Sequence, residues 1–240
     1  KEKINILGLI PAREGSKRIK DKNIRELCGR PLIAYTIEAA LKCSSISRLI
    51  VTTDSEKIAE ISKSEGAEVP FMRPKEISKS DSMEKEFLDH ALNWLKKNEG
   101  YEPEYIVILY PTSPFRKTES IDQAIKKIIN HPEADSLRSV TLCHEHPYKM
   151  WQLTNNCLIP LMKDDDPNKH TFSYHLLPEI FVQNASINIT KLSTIRNNVS
   201  YLGEVIMPFV MDEVESIDLN DTLDFEYAEL MMKRHQKDEL

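Results

Sequence analysis

The chain has 240 residues, of which 40% are hydrophobic and 29% charged, with a formal net charge of −6. This is enough chain for one full α/β domain, and the composition is ordinary for a globular fold. The net acidity argues against a general nucleic-acid binder, and no apolar run reaches the length of a membrane span.

Residues 4–10 are apolar and short enough for a buried strand. Residues 12–23 follow as a loop with small residues and five Lys or Arg, and Pro31-Leu32-Ile33-Ala34-Tyr35 opens a helical pattern. A strand, a basic loop and a helix form a plausible polyanion cradle, because small residues let backbone N–H groups approach phosphate oxygens. The spacing is neither GxxxxGK[ST] nor GxGxxG. On chemistry alone, a phosphate-binding loop and a solvated basic loop both remain open.

Residues 48–53 read as a second strand, with Asp54 and Ser55 as N-cap candidates for a helix over 56–65 that Gly66 stops. A short third strand is expected over 68–71. Next comes a helix over 83–98, with Phe87, Leu88, Ala91, Leu92 and Leu95 on one face. Residues 105–110 are fully apolar, as a central parallel strand requires, and break at Pro111-Thr112-Ser113-Pro114. A helix over 119–130 and a strand over 136–143 complete an alternation that predicts a doubly wound, mostly parallel sheet. Ligands of such sheets bind at the carboxyl ends of the strands, which places the 12–23 loop, Asp54 and the 110–116 loop at one rim.

Periodicity weakens after His144. The stretch 145–180 carries aromatics, histidines and an acidic run, and is too long for an ordinary connection. A single domain over 1–240 is expected, with 145–183 inserted as a lid, β-arm or dimer contact. Strand character returns over 176–189, followed by a short helix at 192–197, a strand at 205–208 and a closing helix over 221–235. The four cysteines are scattered without a CxxC pair and read as reduced cytosolic thiols, hence a cytoplasmic protein. His144, His146, His170 and His175 are expected in loops or interfaces, not at a metal. The final Lys237-Asp238-Glu239-Leu240 spells an endoplasmic-reticulum retention signal, read here as chance because no leader precedes the first strand.

The motif IPAR-x-GSKR-x-x-x-KN, from Ile10 to Asn23, resembles the signature loop of the CMP-sugar-acid synthetases, the acylneuraminate cytidylyltransferase family. Further matches follow in family order. Ile50-Val51-Thr52-Thr53-Asp54 is similar to the second strand. Arg73-Pro74-Lys75-Glu76-Ile77 is similar to RPxEL, and Pro111 to Arg116 to PTSPLR. His146-Pro147-Tyr148-Lys149 is similar to HPxK, and Ser216-Ile217-Asp218 begins a metal motif. The resemblance implies a nucleotide-diphospho-sugar-transferase-like, Rossmann-like fold with a β-rich dimerisation excursion, and a homodimer. It implies transfer of CMP from CTP to an acidic sugar, with Mg²⁺ as cofactor.

By this resemblance, Arg13 and Lys22 are the catalytic pair that assists pyrophosphate departure. Ala12, Arg13, Gly15, Ser16, Lys17, Asn23, Arg73 and Ser82 hold the nucleotide, the last two near the cytosine. Asp218, Asn220 and Asp221 are the metal candidates. The family carries aspartate at i and i+2, and Asn220 replaces the second. Asn220 or Asp221 would alternatively cap the last helix. On the acceptor side, the candidates are Tyr110, Thr112, Ser113, Lys149, Tyr174 and Gln183. Tyr110 stands where the family has glutamine. Its RQDLP stretch is Tyr174-His175-Leu176-Leu177-Pro178 here, without the arginine, and its RxNGAIY strand is Val182 to Asn188. The acceptor is therefore expected to be a modified nonulosonic acid, another keto-sugar acid or a phosphonate. A nucleotide-binding homologue without turnover is the second reading.

Overall fold

The computed structural model describes residues 4–16, 18–163 and 166–238, with side chains to residue 234. In chain order the elements are β1 (Ile6–Pro11), β2 (Glu26–Leu27), β3 (Arg30–Pro31), α1 (Leu32–Lys42), β4 (Arg48–Thr52), α2 (Glu56–Ser64), α3 (Glu84–Glu99), β5 (Tyr105–Ile108) and α4 (Thr118–Ile129). They continue as β6 (Ser136–Leu142), β7 (Trp151–Thr154), β8 (Cys157–Pro160), β9 (Phe181–Lys191), α5 (Leu192–Asn197), β10 (Ile206–Val210) and α6 (Thr222–Asp238). The retention-like tetrapeptide falls at the end of α6, and its Glu239 and Leu240 lie outside the described residues.

The main sheet has the order β10-β6-β9-β5-β1-β4. Every pairing is parallel except those of β9, which runs antiparallel to both β5 and β6. Alternation along β1 feeds two cores. Ile6 and Ile10 pack with Ile33 and Ile37 of α1 and Ile121 and Ile125 of α4. Leu7 and Leu9 pack with Phe87, Leu88, Leu92 and Leu95 of α3. Helices therefore cover both faces, as parallel strands require. Each such side chain removed from water contributes about 1.5–3 kcal/mol.

Three expectations are corrected. Residues 68–71 are not a strand: Glu68 makes only an isolated parallel bridge to Ile50. The bridge consists of Glu68 N donating to Leu49 O and Val51 N donating to Glu68 O. The next backbone bond to this strand comes only at Arg73 N, which donates to Thr53 O, so no ladder forms. The expected strand over 176–189 begins only at Phe181, because Tyr174–Leu176 forms a single 3-10 turn. Ser55 does stand at the N-terminus of α2, but neither it nor Asp54 caps through a side chain there. Asp54 is used elsewhere, accepting from Glu14 N at 2.9 Å.

The 145–183 excursion contains a two-stranded hairpin, β7 paired with β8, whose residues are almost all exposed. β9 carries a bulge, with a register shift against β6 and Ala185 at φ 53. The family pattern has glycine at that position, and a side chain in the left-handed region is strained.

Arg116 fixes the rim. Its guanidinium is buried and donates to Ser186 O, to Thr36 Oγ1 at 2.7 Å and to Tyr110 O at 3.1 Å. Acceptors on β9, on α1 and on the loop after β5 would lose this donor together. Arg116→Met is expected to destabilise the fold by about 3 kcal/mol. Urea unfolding checks this: the midpoint falls while the m-value is retained.

Candidate active site

The functional loop leaves β1 and is tied down from behind. Ala12 N donates to Thr52 O at 3.0 Å, and Asn23 Nδ2 donates to Arg13 O at 3.0 Å. These bonds fix the loop's two ends against β4 and against each other. Asn23 is buried, so its amide serves the loop as well as facing the cleft. Gly15 is exposed, and a Cβ there would meet only Arg13 Nη1 at 3.8 Å, so nothing within the chain demands glycine.

The segment after β10 closes the site. Leu219 is fully buried among Ile19, Leu27, Leu32 and Phe225. Its backbone N donates to Thr112 O at 2.9 Å, and its carbonyl accepts from Lys22 Nζ at 3.0 Å. One residue thus joins the basic loop, the 110–116 loop and Asp218. Burial holds the Lys22 pKa below its ordinary value, while the neighbouring Asp218 charge pushes it back up.

Between these segments lies a cleft of about 240 Å³. Arg13, Ser16, Lys22, Asn23, Arg73, Ser82, Tyr110 and Thr112 all line it. Eight residues singled out from the sequence therefore meet on one surface. Arg73 is the electrostatic centre. It is 5% exposed, and its Nε and Nη2 have no hydrogen-bond partner among the described residues. Phe87 supports its guanidinium at 5.8 Å from the ring centroid. Burial lowers the Arg73 pKa, with Asp54 opposing and Arg13 adding to the shift. A buried cation with unused donors is costly unless an acceptor arrives.

Other sites fall elsewhere. Ala12 and Ser113 are buried and do not line the cleft, and Ser113 Oγ has no hydrogen-bond partner among the described residues. Lys149 Nζ donates to the carbonyls of His170 and Phe172 and lies 5.6 Å from the Tyr174 ring, so both residues belong to the arm. Gln183 accepts from Arg138 Nη1 at 3.1 Å. Asp221 Oδ1 accepts from Asp224 N while Asp224 Oδ2 accepts from Asp221 N, a reciprocal cap on α6. Asn220 Nδ2 donates to Asp218 Oδ2 at 2.7 Å and braces that carboxylate. Lys17 lies outside the described residues.

Sequence reading missed Lys79, Ser80 and Glu84, which also line the cleft. The first two sit just before α3, on a polar stretch with no periodic signal. Glu84 opens an otherwise ordinary amphipathic helix. His146 is satisfied within its own loop, its Nδ1 accepting from Tyr148 N at 3.2 Å and its Nε2 lying 3.0 Å from Pro178 O. No group of three or more His, Cys, Asp or Glu suited to a metal occurs among the described residues.

The pattern of the family described as "Cytidylyltransferase" matches residues 7–237. The chain belongs to the cytidylyltransferase family. It is 32% identical over 237 residues to the CMP-N,N'-diacetyllegionaminic acid synthase of Legionella pneumophila, covering 98% of this chain and 99% of that protein. It is 30% identical over 239 residues to the N-acylneuraminate cytidylyltransferase of Escherichia coli O18:K1:H7, covering 98% of this chain but only 54% of that longer relative. In fold, it is similar to the structure of a CMP:2-keto-3-deoxy-manno-octonic acid synthetase complexed with CTP. The TM-score is 0.68 at 15% identity, over 96% of this chain and 99% of that one. Identity this low speaks for the fold alone. The mostly parallel sheet with helices on both faces agrees with the expected Rossmann-like class.

The Arg73 arrangement separates binding from stability. Arg73→Met removes a buried, unpaired charge, so the melting temperature is expected to hold or rise. CTP affinity is expected to fall at least about tenfold, because charge-assisted bonds to the ligand are lost. Calorimetric titration beside a thermal melt checks both.

Proposed function

We propose that this cytidylyltransferase transfers CMP from CTP to an acidic sugar of the nonulosonic type and releases pyrophosphate. The observation that carries the proposal is the buried Arg73 guanidinium, which lines a cleft shared with Arg13 and Lys22 and leaves Nε and Nη2 without a partner among the described residues. The names of the Legionella and Escherichia relatives support an acceptor of this type. Another keto-sugar acid or a phosphonate is the alternative.

The chemistry follows from the placement. An acceptor hydroxyl oxygen bonds the α-phosphorus as the bond to the bridging oxygen of pyrophosphate breaks, and the hydroxyl proton passes to water. Arg13 and Lys22 neutralise the departing pyrophosphate. Lys22 is aimed by the Leu219 carbonyl, so its charge is in place before the reaction begins. Ser16 and the backbone near Gly15 hold phosphate oxygens, and Ser82 lies near the base.

Mg²⁺ is proposed as the cofactor. Asp218 beside Lys22, braced by Asn220, supplies the single carboxylate that such an ion needs when phosphates provide its other oxygens. When bound, Mg²⁺ would supply further charge neutralisation on the phosphates. Asp221 is engaged at the α6 cap and is the weaker ligand candidate.

A homodimer through the 145–183 arm is proposed as well. Leu153 and Leu158 are paired across the hairpin and are 70% and 63% exposed. An isolated two-stranded hairpin is marginal in water, so a second copy of the chain is its natural support. Lys149 and Tyr174 are proposed as acceptor contacts through this arm. The dispersed free thiols support a cytoplasmic location.

Pyrophosphate release from CTP with a panel of sugar acids and phosphonates tests the reaction. Lys22→Met should lower kcat/KM by about a hundredfold or more, roughly 2.7 kcal/mol. Binding of CTP with no release from any acceptor would instead establish a homologue without turnover. The pH profile has a definite sign. A cationic Lys22 with a lowered pKa loses its proton below the ordinary 10.5, so kcat/KM should fall with rising pH on a limb below that value. For the arm, sedimentation equilibrium should give twice the 27.7 kDa chain mass, and the double variant Leu153→Glu, Leu158→Glu should give the single mass.

A further inference from the structure

Among the described residues lining the cleft, Glu84 is the one acid, against Arg13, Lys22, Arg73 and Lys79. A carboxylate repels phosphate, so Glu84 belongs to the part of the cleft that the triphosphate leaves free. It is also held in place. The Tyr110 hydroxyl donates to Glu84 Oε1, and Arg138 Nη2 lies 3.5 Å from Glu84 Oε2. Burial, together with the Glu84 charge, pushes the Tyr110 pKa up, so the phenol keeps its proton and donates. Glu84 is the first residue of α3, where the helix dipole favours a carboxylate. Its side chain is still 33% exposed and open to a ligand.

The supports of Glu84 come from one direction. Arg138 is on β6, and it also donates to Gln183 Oε1 on β9 and to the Tyr201 hydroxyl. The sheet order puts β9 and β6 on one side of β5, and β1 with its basic loop on the other. Pyrophosphate leaves toward the basic loop. In-line displacement brings the attacking oxygen from the opposite side, and Glu84 and Tyr110 are tied to Arg138 of β6, on the side of β5 away from β1.

We propose that Glu84 is the acceptor-specificity residue of this enzyme, its carboxylate accepting a hydrogen bond from a hydroxyl or ammonium group of the acid acceptor. Tyr110 and Arg138 are positioning residues that aim it. The proposal rests on the CMP-transfer reading above. It also orients the acceptor. The acceptor's own carboxylate has no donor to meet on Glu84 and lies away from it, while a donor group faces Glu84. Hydroxyl and ammonium share this chemistry, and only an ammonium adds charge attraction.

The test uses the full-length enzyme with CTP and a set of sugar acids that differ at one position: free amine, hydroxyl, N-acetyl or deoxy. Pyrophosphate release gives KM and kcat, and calorimetry gives CTP affinity without acceptor. Glu84→Gln keeps the shape and the Tyr110 bond. It is expected to raise acceptor KM at least about tenfold while leaving kcat and CTP affinity nearly unchanged, as loss of one charge-assisted hydrogen bond predicts. Tyr110→Phe and Arg138→Met should raise KM in the same direction by less, again sparing kcat. Loss confined to the amine-bearing acid identifies an ammonium, and equal loss with the hydroxyl acid identifies a hydroxyl. An unchanged acceptor KM in Glu84→Gln overturns the proposal. So does a tenfold loss of CTP affinity, which would put Glu84 on the nucleotide. Wild-type enzyme that binds no CTP overturns the transfer reading itself, and the inference with it.

Discussion

The arrangement depends on a cation that the chain does not satisfy. Arg73 is buried at the sheet's rim with two guanidinium nitrogens unpartnered among the described residues, and Arg13 and Lys22 line the same cleft. Such a cluster is unfavourable by itself, through both desolvation and mutual repulsion. The rest of the fold supplies what holds it. Cores on both faces of the sheet make the strand ends rigid, the Leu219 backbone joins loops distant in sequence, and Phe87 supports the Arg73 plane. On the proposed function, bound CTP is the anion that would complete the charge balance.

Much of the fold was legible in the sequence, because its signals were local. The apolar runs at β1 and β5 and the periodic face of α3 place themselves by pattern alone. The antiparallel insertion of β9 was not legible, since strand direction is set by where the long arm returns the chain. The lost strand at 68–71 shows the same limit. Its residues have strand composition, but only Glu68 pairs with β4, through one bridge that does not extend into a ladder. Ala185 marks a further case, since a left-handed residue at a bulge carries no mark when it is not glycine.

The site divides along the same line. The residues expected at the nucleotide sit in contiguous motifs, and Arg13, Lys22 and Arg73 do line one cleft, together with Tyr110 and Thr112, which were expected at the acceptor. The proposed acceptor wall at Glu84 was not legible, because it is assembled sideways, from the start of α3, the end of β5 and β6. Glu84 and Arg138 lie 54 residues apart and carry no motif, yet they meet at 3.5 Å beside Tyr110. Gln183 was identified from the sequence as an acceptor contact, and the structure places it one step behind that wall, on Arg138. Lys149, expected to serve the same task, donates to the carbonyls of His170 and Phe172 in its own arm.

The most direct measurement compares CTP with CMP by calorimetric titration into the wild-type protein. Cations gathered for a triphosphate should gain most of their binding energy from the β- and γ-phosphates. The account predicts CTP affinity at least about a hundredfold above that of CMP, with the difference shrinking as salt rises. Equal affinities for the two nucleotides, insensitive to salt, would contradict it.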